Sequence, residues 1–278
     1  MRHQIALPEE ARADERLQGR VHEVLPDVAY LRVAIVNVVF CGYAGAGDRR
    51  WVLVDAGLAG SAPVIRAAAE ARFGAGSRPF AVVLTHGHFD HVGALRSLAE
   101  EWDAPVYAHA DEMPFLNGSR GYPPPDPWAG GMMSLLSPLL PRGPIDVRDF
   151  APLRALDRTG RLPGMPGWEW IPTPGHTPGH VSLWRERDGT LISGDAIITT
   201  RQESAYDALT QHAEMHGPPA YFTPDWDTAR ESVRRLARLE PDLVVPGHGR
   251  AMGGRPLRDA LSRLAKEFDR VARPQHAR

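Results

Sequence analysis

The sequence predicts a layered α+β fold made of two halves, each running strands first and helices after. Short β-branched apolar runs, closed by glycine-containing turns, are followed in each half by segments with helical apolar spacing. The 278 residues, 43% apolar and 24% charged, are enough for a sizeable core. No repeat of short period and no independent linker interrupts the chain, so a single domain over residues 1–278 is expected.

Val33 to Phe40 and Trp51 to Val54 read as a strand pair around the glycine-rich stretch Gly42 to Gly47, with Asp55-Ala56-Gly57 ending the second strand. Ser61 is placed to cap a helix running through Arg72. Phe80 to Leu84 is a buried strand that delivers Thr85 and His86 into a loop. Gly93 to Trp102 reads as helix and Pro105 to Ala108 as strand. Residues 113–166 are rich in Pro, Gly, Met and Trp and too long for an ordinary connection. They are expected to be an insertion, either a lid over a site or a tether covering an apolar face. Trp168 to Ile171, Val181 to Trp184, Thr190 to Ile192 and Asp242 to Val245 read as strands, and Thr228 to Leu239 and Leu257 to Val271 as helices.

A formal charge of −2 gives no electrostatic grip on nucleic acid. Cys41 is the single cysteine, which excludes an internal disulfide framework and cysteine-rich zinc or iron–sulfur sites, so any metal must be held by nitrogen and oxygen. Met1 to Arg20 is crowded with Glu, Asp and Arg and lacks the apolar stretch of a secretory signal, so the cytoplasm is the expected address. The greasiest later segment, Met132 to Leu140, is far short of the ~20 residues that span a bilayer, and no membrane partner is expected.

Thr85-His86-Gly87-His88-Phe89-Asp90-His91 places three imidazoles and a carboxylate in seven residues, directly after a buried strand. Such ligands suit Zn, Mn or Fe, and a catalytic site needs about three of them plus an open position for water. Pro174-Gly175-His176-Thr177-Pro178-Gly179-His180, Ser193-Gly194-Asp195 and Val245-Pro246-Gly247-His248 each end a predicted strand with a ligand-capable group preceded by glycine. Singly each is ordinary turn chemistry. Together they complete a set.

In these motifs the sequence resembles the metallo-β-lactamase superfamily, whose signature is an Asp after the second strand, a His-x-His-x-Asp-His loop, a later Gly-His, a Gly-Asp and a final Gly-His. The resemblance runs from about Val33 to Gly249. It implies an αββα four-layer sandwich with two divalent metal ions at one edge, zinc being the first choice and Mn or Fe compatible. It assigns His86, His88 and His176 to one ion, Asp90, His91 and His248 to the other, and Asp195 to both. A metal-bridging hydroxide would then be the nucleophile, with Asp90 the catalytic group that orients water and passes a proton to the leaving group. Asp55 and His180 are expected to support ligands without binding metal. His22, His109, His212 and His216 lack such motif context.

The implied function is hydrolysis of a small-molecule ester, lactone or thioester. Zinc β-lactamases of this family usually carry Cys or Ser at the position of Asp195, which argues against β-lactamase-type amide hydrolysis. Glyoxalase II-like thioesterases add a helical C-terminal domain that the short stretch after His248 does not match, and acyl-homoserine lactonases commonly place a Tyr where Ala196-Ile197-Ile198 stands. A mononuclear iron persulfide dioxygenase of the same fold and a non-catalytic module with structural metals are the other classes. Phe115, Tyr122, Trp128, Met132, Met133, Leu135 and Leu136 are either a substrate pocket or core beneath the insertion, and Arg201, Tyr206, His216, Tyr221 and Arg250 are candidates for substrate contact.

Overall fold

The structure, a computed structural model, describes residues 5–13, 16–18, 20–143, 145–210 and 212–277. Parts of the leading stretch Met1 to Arg20, and Pro144 within 113–166, therefore lie outside the described residues. The chain forms two compact units. One comprises residues 14–122 and 142–169; the other comprises 1–13, 123–141 and 170–278.

The first unit carries an eight-stranded sheet whose strands follow one another in chain order from Arg16–Gln18 to Leu153–Ala155. It is mixed. Val28–Val33, Val36–Cys41 and Val52–Val54 pair antiparallel, whereas Val52–Val54, Ala81–Val83, Val106–Ala108 and Leu153–Ala155 run parallel. Parallel neighbours need a crossover, and the helices Ala62–Phe73 and Leu95–Trp102 supply it. Val38, Phe40, Leu53, Val82 and Val106 pack with Ile65, Phe73, Leu95, Leu98 and Trp102 of those helices. The alternating residues Val39, Val54 and Val83 are buried as well, so these strands are covered on both faces, as parallel strands usually are.

The predicted run Val33 to Phe40 is not one strand. Ala34 takes a positive φ of 55°, and the chain turns there between Val28–Val33 and Val36–Cys41. An unbroken β-branched run carries no mark of such a turn. The strand pair Val21–Leu25 and Val28–Val33 also escaped the sequence reading; its register sets His22 opposite Tyr30, with the rings stacked at 4.6 Å. Ser61 does not cap its helix through its side chain. Its hydroxyl donates to the Leu58 carbonyl at 2.6 Å instead.

The second unit carries a five-stranded mixed sheet, again in chain order: Glu169–Pro172, Val181–Arg185, Thr190–Gly194, Leu243–Pro246 and Met252–Gly253. The helices Trp226–Arg238 and Gly254–Val271 bury Val233, Leu236, Leu257, Leu261, Leu264 and Phe268 with Leu191 and Val244 of the sheet. Two mixed sheets with flanking helices are thus present. Among the described residues no helix is long and apolar enough to cross a membrane.

Residues 113–166 do not form one body. Residues 113–122 and 142–166 belong to the first unit, where Leu153–Ala155 is the last strand of the sheet, and 123–141 to the second. Their apolar residues divide too: Phe115 and Tyr122 are buried, while Trp128, Met132, Leu135 and Leu136 are exposed.

Trp51 anchors the core of the first unit. It is fully buried, stacks on Phe73 at 4.4 Å, meets Trp102 edge-on at 5.5 Å, and donates its indole N–H to the Ser77 hydroxyl at 2.9 Å. Trp51→Ala is expected to destabilise the protein by about 3–5 kcal/mol, whereas Leu139→Ser, at an exposed position, should change stability by less than about 0.5 kcal/mol. Urea unfolding followed by far-ultraviolet circular dichroism checks both, and equal midpoints for the two variants would contradict the packing described.

Candidate metal centre

Parallel pairing decides which side chains meet. In the first unit Val54 lies opposite Val83, so Asp55 and the Thr85–His91 loop leave the sheet at the same strand ends, where open α/β sheets place their ligands. In the second unit Gly194 lies opposite Pro246 after a register shift, so Asp195 and His248 also leave together, tied by a 2.9 Å bond from the Gly247 N–H to the Gly194 carbonyl. All seven predicted ligands are buried, as are Asp55 and His180.

In the first unit Asp55 organises the loop. One carboxylate oxygen accepts from the Thr85 backbone N–H at 2.8 Å; the other accepts from the Thr85 hydroxyl and from His91 Nδ1, each at 2.8 Å. A carboxylate only accepts, so His91 carries its proton on Nδ1 and turns the Nε2 lone pair outward. The Thr85 hydroxyl has spent its proton on Asp55 and therefore accepts from His86 Nδ1 at 3.1 Å, which gives His86 the same tautomer. His86 Nε2 comes within 3.1 Å of His88 Nδ1, and the His86 and His91 rings are 4.2 Å apart. Asp55 holds a left-handed φ of 60°, a conformation Asp and Asn tolerate better than other side chains.

Gly87 makes this loop possible. A Cβ there would lie 2.6 Å from Tyr122 Oη and 2.9 Å from Leu116 Cδ2. Its N–H is 3.0 Å from both the fully buried Glu112 carboxylate and Tyr122 Oη, and the tyrosine hydroxyl in turn donates to Glu112. Burial, and then the Glu112 charge, push the Tyr122 phenol well above its ordinary range, so it stays a donor. The Tyr122 ring packs 4.4 Å from that of His88.

The second unit repeats the device. Thr223 donates its hydroxyl to the Pro219 carbonyl at 2.8 Å and so accepts from His176 Nδ1 at 3.1 Å, which leaves Nε2 facing Asp195 Oδ2 at 3.5 Å. His248 Nε2 lies 3.2 Å from the same oxygen. On its other side His248 Nδ1 meets the Gln202 amide at 3.0 Å, while Gln202 Oε1 is buried without a hydrogen-bond partner. A half-turn of that amide gives Oε1 the Nδ1 proton and opens Nε2 as a lone pair, the form a metal ligand needs.

His180 stands apart. Its Nε2 accepts the Asp195 backbone N–H at 2.9 Å and its Nδ1 meets the Thr173 hydroxyl at 2.8 Å, so both nitrogens are used by protein and the ring holds the Asp195 backbone in place.

Buried imidazoles whose outer nitrogens are lone pairs, beside carboxylates, are what a divalent cation of the Zn, Mn or Fe type requires, and the described His and Asp side chains include groups able to hold such an ion. The sequence reading did not single out Thr85, Thr223, Gln202 or Glu112. Thr85 sits inside the motif and was within reach. Thr223 and Gln202 are remote along the chain from the histidines they serve, and nothing in their surroundings marks them.

The Metallo-beta-lactamase superfamily profile matches residues 33–248. A probable metallo-hydrolase of Bacillus subtilis, YflN, is 46% identical over 254 residues, covering 91% of this chain and 95% of that protein. Among solved structures, the di-iron-bound form of TTHA1623 is 27% identical, with a TM-score of 0.53 over 87% of this chain and 96% of its own. A beta-lactamase domain protein of Burkholderia ambifaria shares the fold, with a TM-score of 0.60 at 24% identity over 95% of this chain and 77% of its own. With a profile match across most of its length and this degree of identity to YflN, the chain belongs to the metallo-beta-lactamase superfamily.

Proposed function

We propose that the protein is a metal-dependent hydrolase acting on a small ester, lactone or thioester. In this reading His86, His88 and His176 hold one divalent ion, Asp90, His91 and His248 hold a second, and Asp195 is shared between them. The observation that carries it is the hydrogen bonding of His86, His91 and His176, each tied through Nδ1 to an oxygen of its own unit, which sets the tautomer with its lone pair on Nε2. Similarity to a protein named as a probable metallo-hydrolase supports the same activity.

Two bound divalent ions supply Lewis acidity, which brings the acidity of water toward neutral pH and polarises a carbonyl. The chain's own residues do the rest. Asp195 places one negative charge against two imidazoles, offsetting the charge of the cations they would hold. Asp55 fixes the His91 tautomer and makes its Nε2 lone pair a stronger donor. Asp90, a buried carboxylate of the same loop, orients water and carries a proton to the leaving group. Zinc, manganese and iron all suit this donor set, and the di-iron-bound relative gives iron a specific claim.

Asp195→Ala should lower bound metal below that of the parent protein and abolish hydrolysis across a panel of esters, lactones and thioesters, read by elemental analysis and initial rates. Two tightly held ions with full activity in that variant would sink the assignment. Asp55→Asn keeps the left-handed backbone but removes the charge that His91 donates to, and a loss of about 10–100-fold in metal affinity is expected. Competition with a chromogenic chelator measures it; unchanged affinity would show that Asp55 merely ends a strand.

A further inference from the structure

The second unit contains a cavity of about 540 Å³ that the proposed hydrolysis does not use. Its wall combines apolar surface from Trp128, Ala220 and Val271 with five charged or titratable side chains, Arg201, Glu203, His216, Arg273 and His276. Arg201 is only 8% exposed, and its guanidinium has no ion-pair or hydrogen-bond partner among the described residues. A guanidinium that no protein group pairs and that opens onto a cavity offers an anion its N–H donors.

The neighbouring carboxylate does not serve as that anion. Glu203 Oε1 accepts the Ala220 N–H at 2.7 Å, and Oε2 faces His216 Nε2 at 3.3 Å. His216 Nδ1 donates to the Gly217 carbonyl at 3.1 Å, so the ring lies between a carbonyl and a carboxylate, two groups that only accept. Among the described residues no ion pair joins Glu203 to Arg201, and Glu203 Oε2 is buried without a hydrogen-bond partner. Arg273, the other arginine of the cavity, is matched by Asp227 and Asp269. Of the two arginines of the cavity, Arg201 is the one left without a carboxylate partner among the described residues.

We infer that this cavity binds the carboxylate of a small amphiphilic organic anion, with Arg201 as counter-ion and Trp128, Ala220 and Val271 against its apolar part. A guanidinium offers parallel N–H donors that match a carboxylate, and the apolar wall suits an alkyl or aryl tail. The cavity also reports to the candidate metal centre. Arg201 and Glu203 flank Gln202, whose amide meets His248 Nδ1, so one three-residue segment faces a ligand on one side and an imidazole on the other. The inference concerns binding at this cavity and does not depend on the hydrolase reading.

The test uses the full chain, both metal-loaded and chelator-treated, titrated calorimetrically with 4-phenylbutyrate and with its neutral counterpart 4-phenylbutanol. The acid should bind about tenfold or more tightly than the alcohol. Arg201→Met should remove that preference while leaving the weak affinity for the alcohol, and Arg201→Lys should keep part of it. Equal affinity of the unmodified protein for acid and alcohol, which requires no variant, would overturn the inference, as would an undiminished preference in a folded Arg201→Met. If Arg201-dependent binding of the acid appears but no ester, lactone or thioester is hydrolysed, the cavity assignment stands and the hydrolase reading falls.

Discussion

A buried imidazole turns a lone pair outward only if its other nitrogen gives its proton to something within the protein. That constraint governs the candidate centre. His91 gives its proton to Asp55, His86 to the Thr85 hydroxyl, and His176 to the Thr223 hydroxyl. Each hydroxyl can accept because its own proton is committed further on, to Asp55 in one case and to the Pro219 carbonyl in the other. The tautomers are therefore written into short chains of donors that end on groups able only to accept, and no rearrangement is needed for the rings to present nitrogen ligands.

These chains demand close backbone approach, and the strand ends provide it. The Gly93 N–H reaches the Gly57 carbonyl at 2.7 Å, and a Cβ on Gly93 would stand 2.2 Å from the Ala59 nitrogen. In the other unit a Cβ on Gly175 would lie 2.4 Å from the Ala229 nitrogen, at a φ of 125° that L side chains rarely adopt. The glycines beside the ligand residues thus act through what they leave out. They let a loop lie against a neighbouring loop or helix, which fixes where the adjacent candidate ligand emerges.

Much of this was legible in the sequence because the motifs are local. Three imidazoles and a carboxylate within Thr85–His91 are too dense for packing alone, and the glycine before His176, Asp195 and His248 marks strand ends as well as candidate ligands. The helices Trp226–Arg238 and Gly254–Val271 carried a clear apolar period and were located to within a few residues. What escaped was long-range or featureless. Thr223 and Gln202 matter only because the fold returns them to His176 and His248, and the turn at Ala34 falls inside an unbroken β-branched run. Glu112, which nothing in the sequence singles out, is fully buried, and its carboxylate meets the Gly87 N–H and the Tyr122 hydroxyl.

The segment between Asp195 and the helix Ala205–Thr210 carries both Arg201 of the cavity wall and Gln202, whose amide meets His248. The Thr199 N–H donates to the His248 carbonyl at 3.0 Å and its hydroxyl to the Arg250 carbonyl at 2.6 Å, while Ile198 bridges to His216. A Cβ on Gly249 would come within 2.2 Å of Thr199 Oγ1, so the two stretches are in direct backbone contact. Arg201, Gln202 and Glu203 hang from this clamp. On the far side, the Met133 N–H donates to the Glu203 carbonyl at 3.2 Å, and a Cβ on Gly131 would meet that same oxygen at 2.2 Å. A group that settled against Arg201 would thus press on a segment held at both ends, and the freedom left in it is that of its side chains. The Gln202 amide, with one buried oxygen unpaired, is the member of that segment whose reorientation changes which nitrogen of His248 carries the proton.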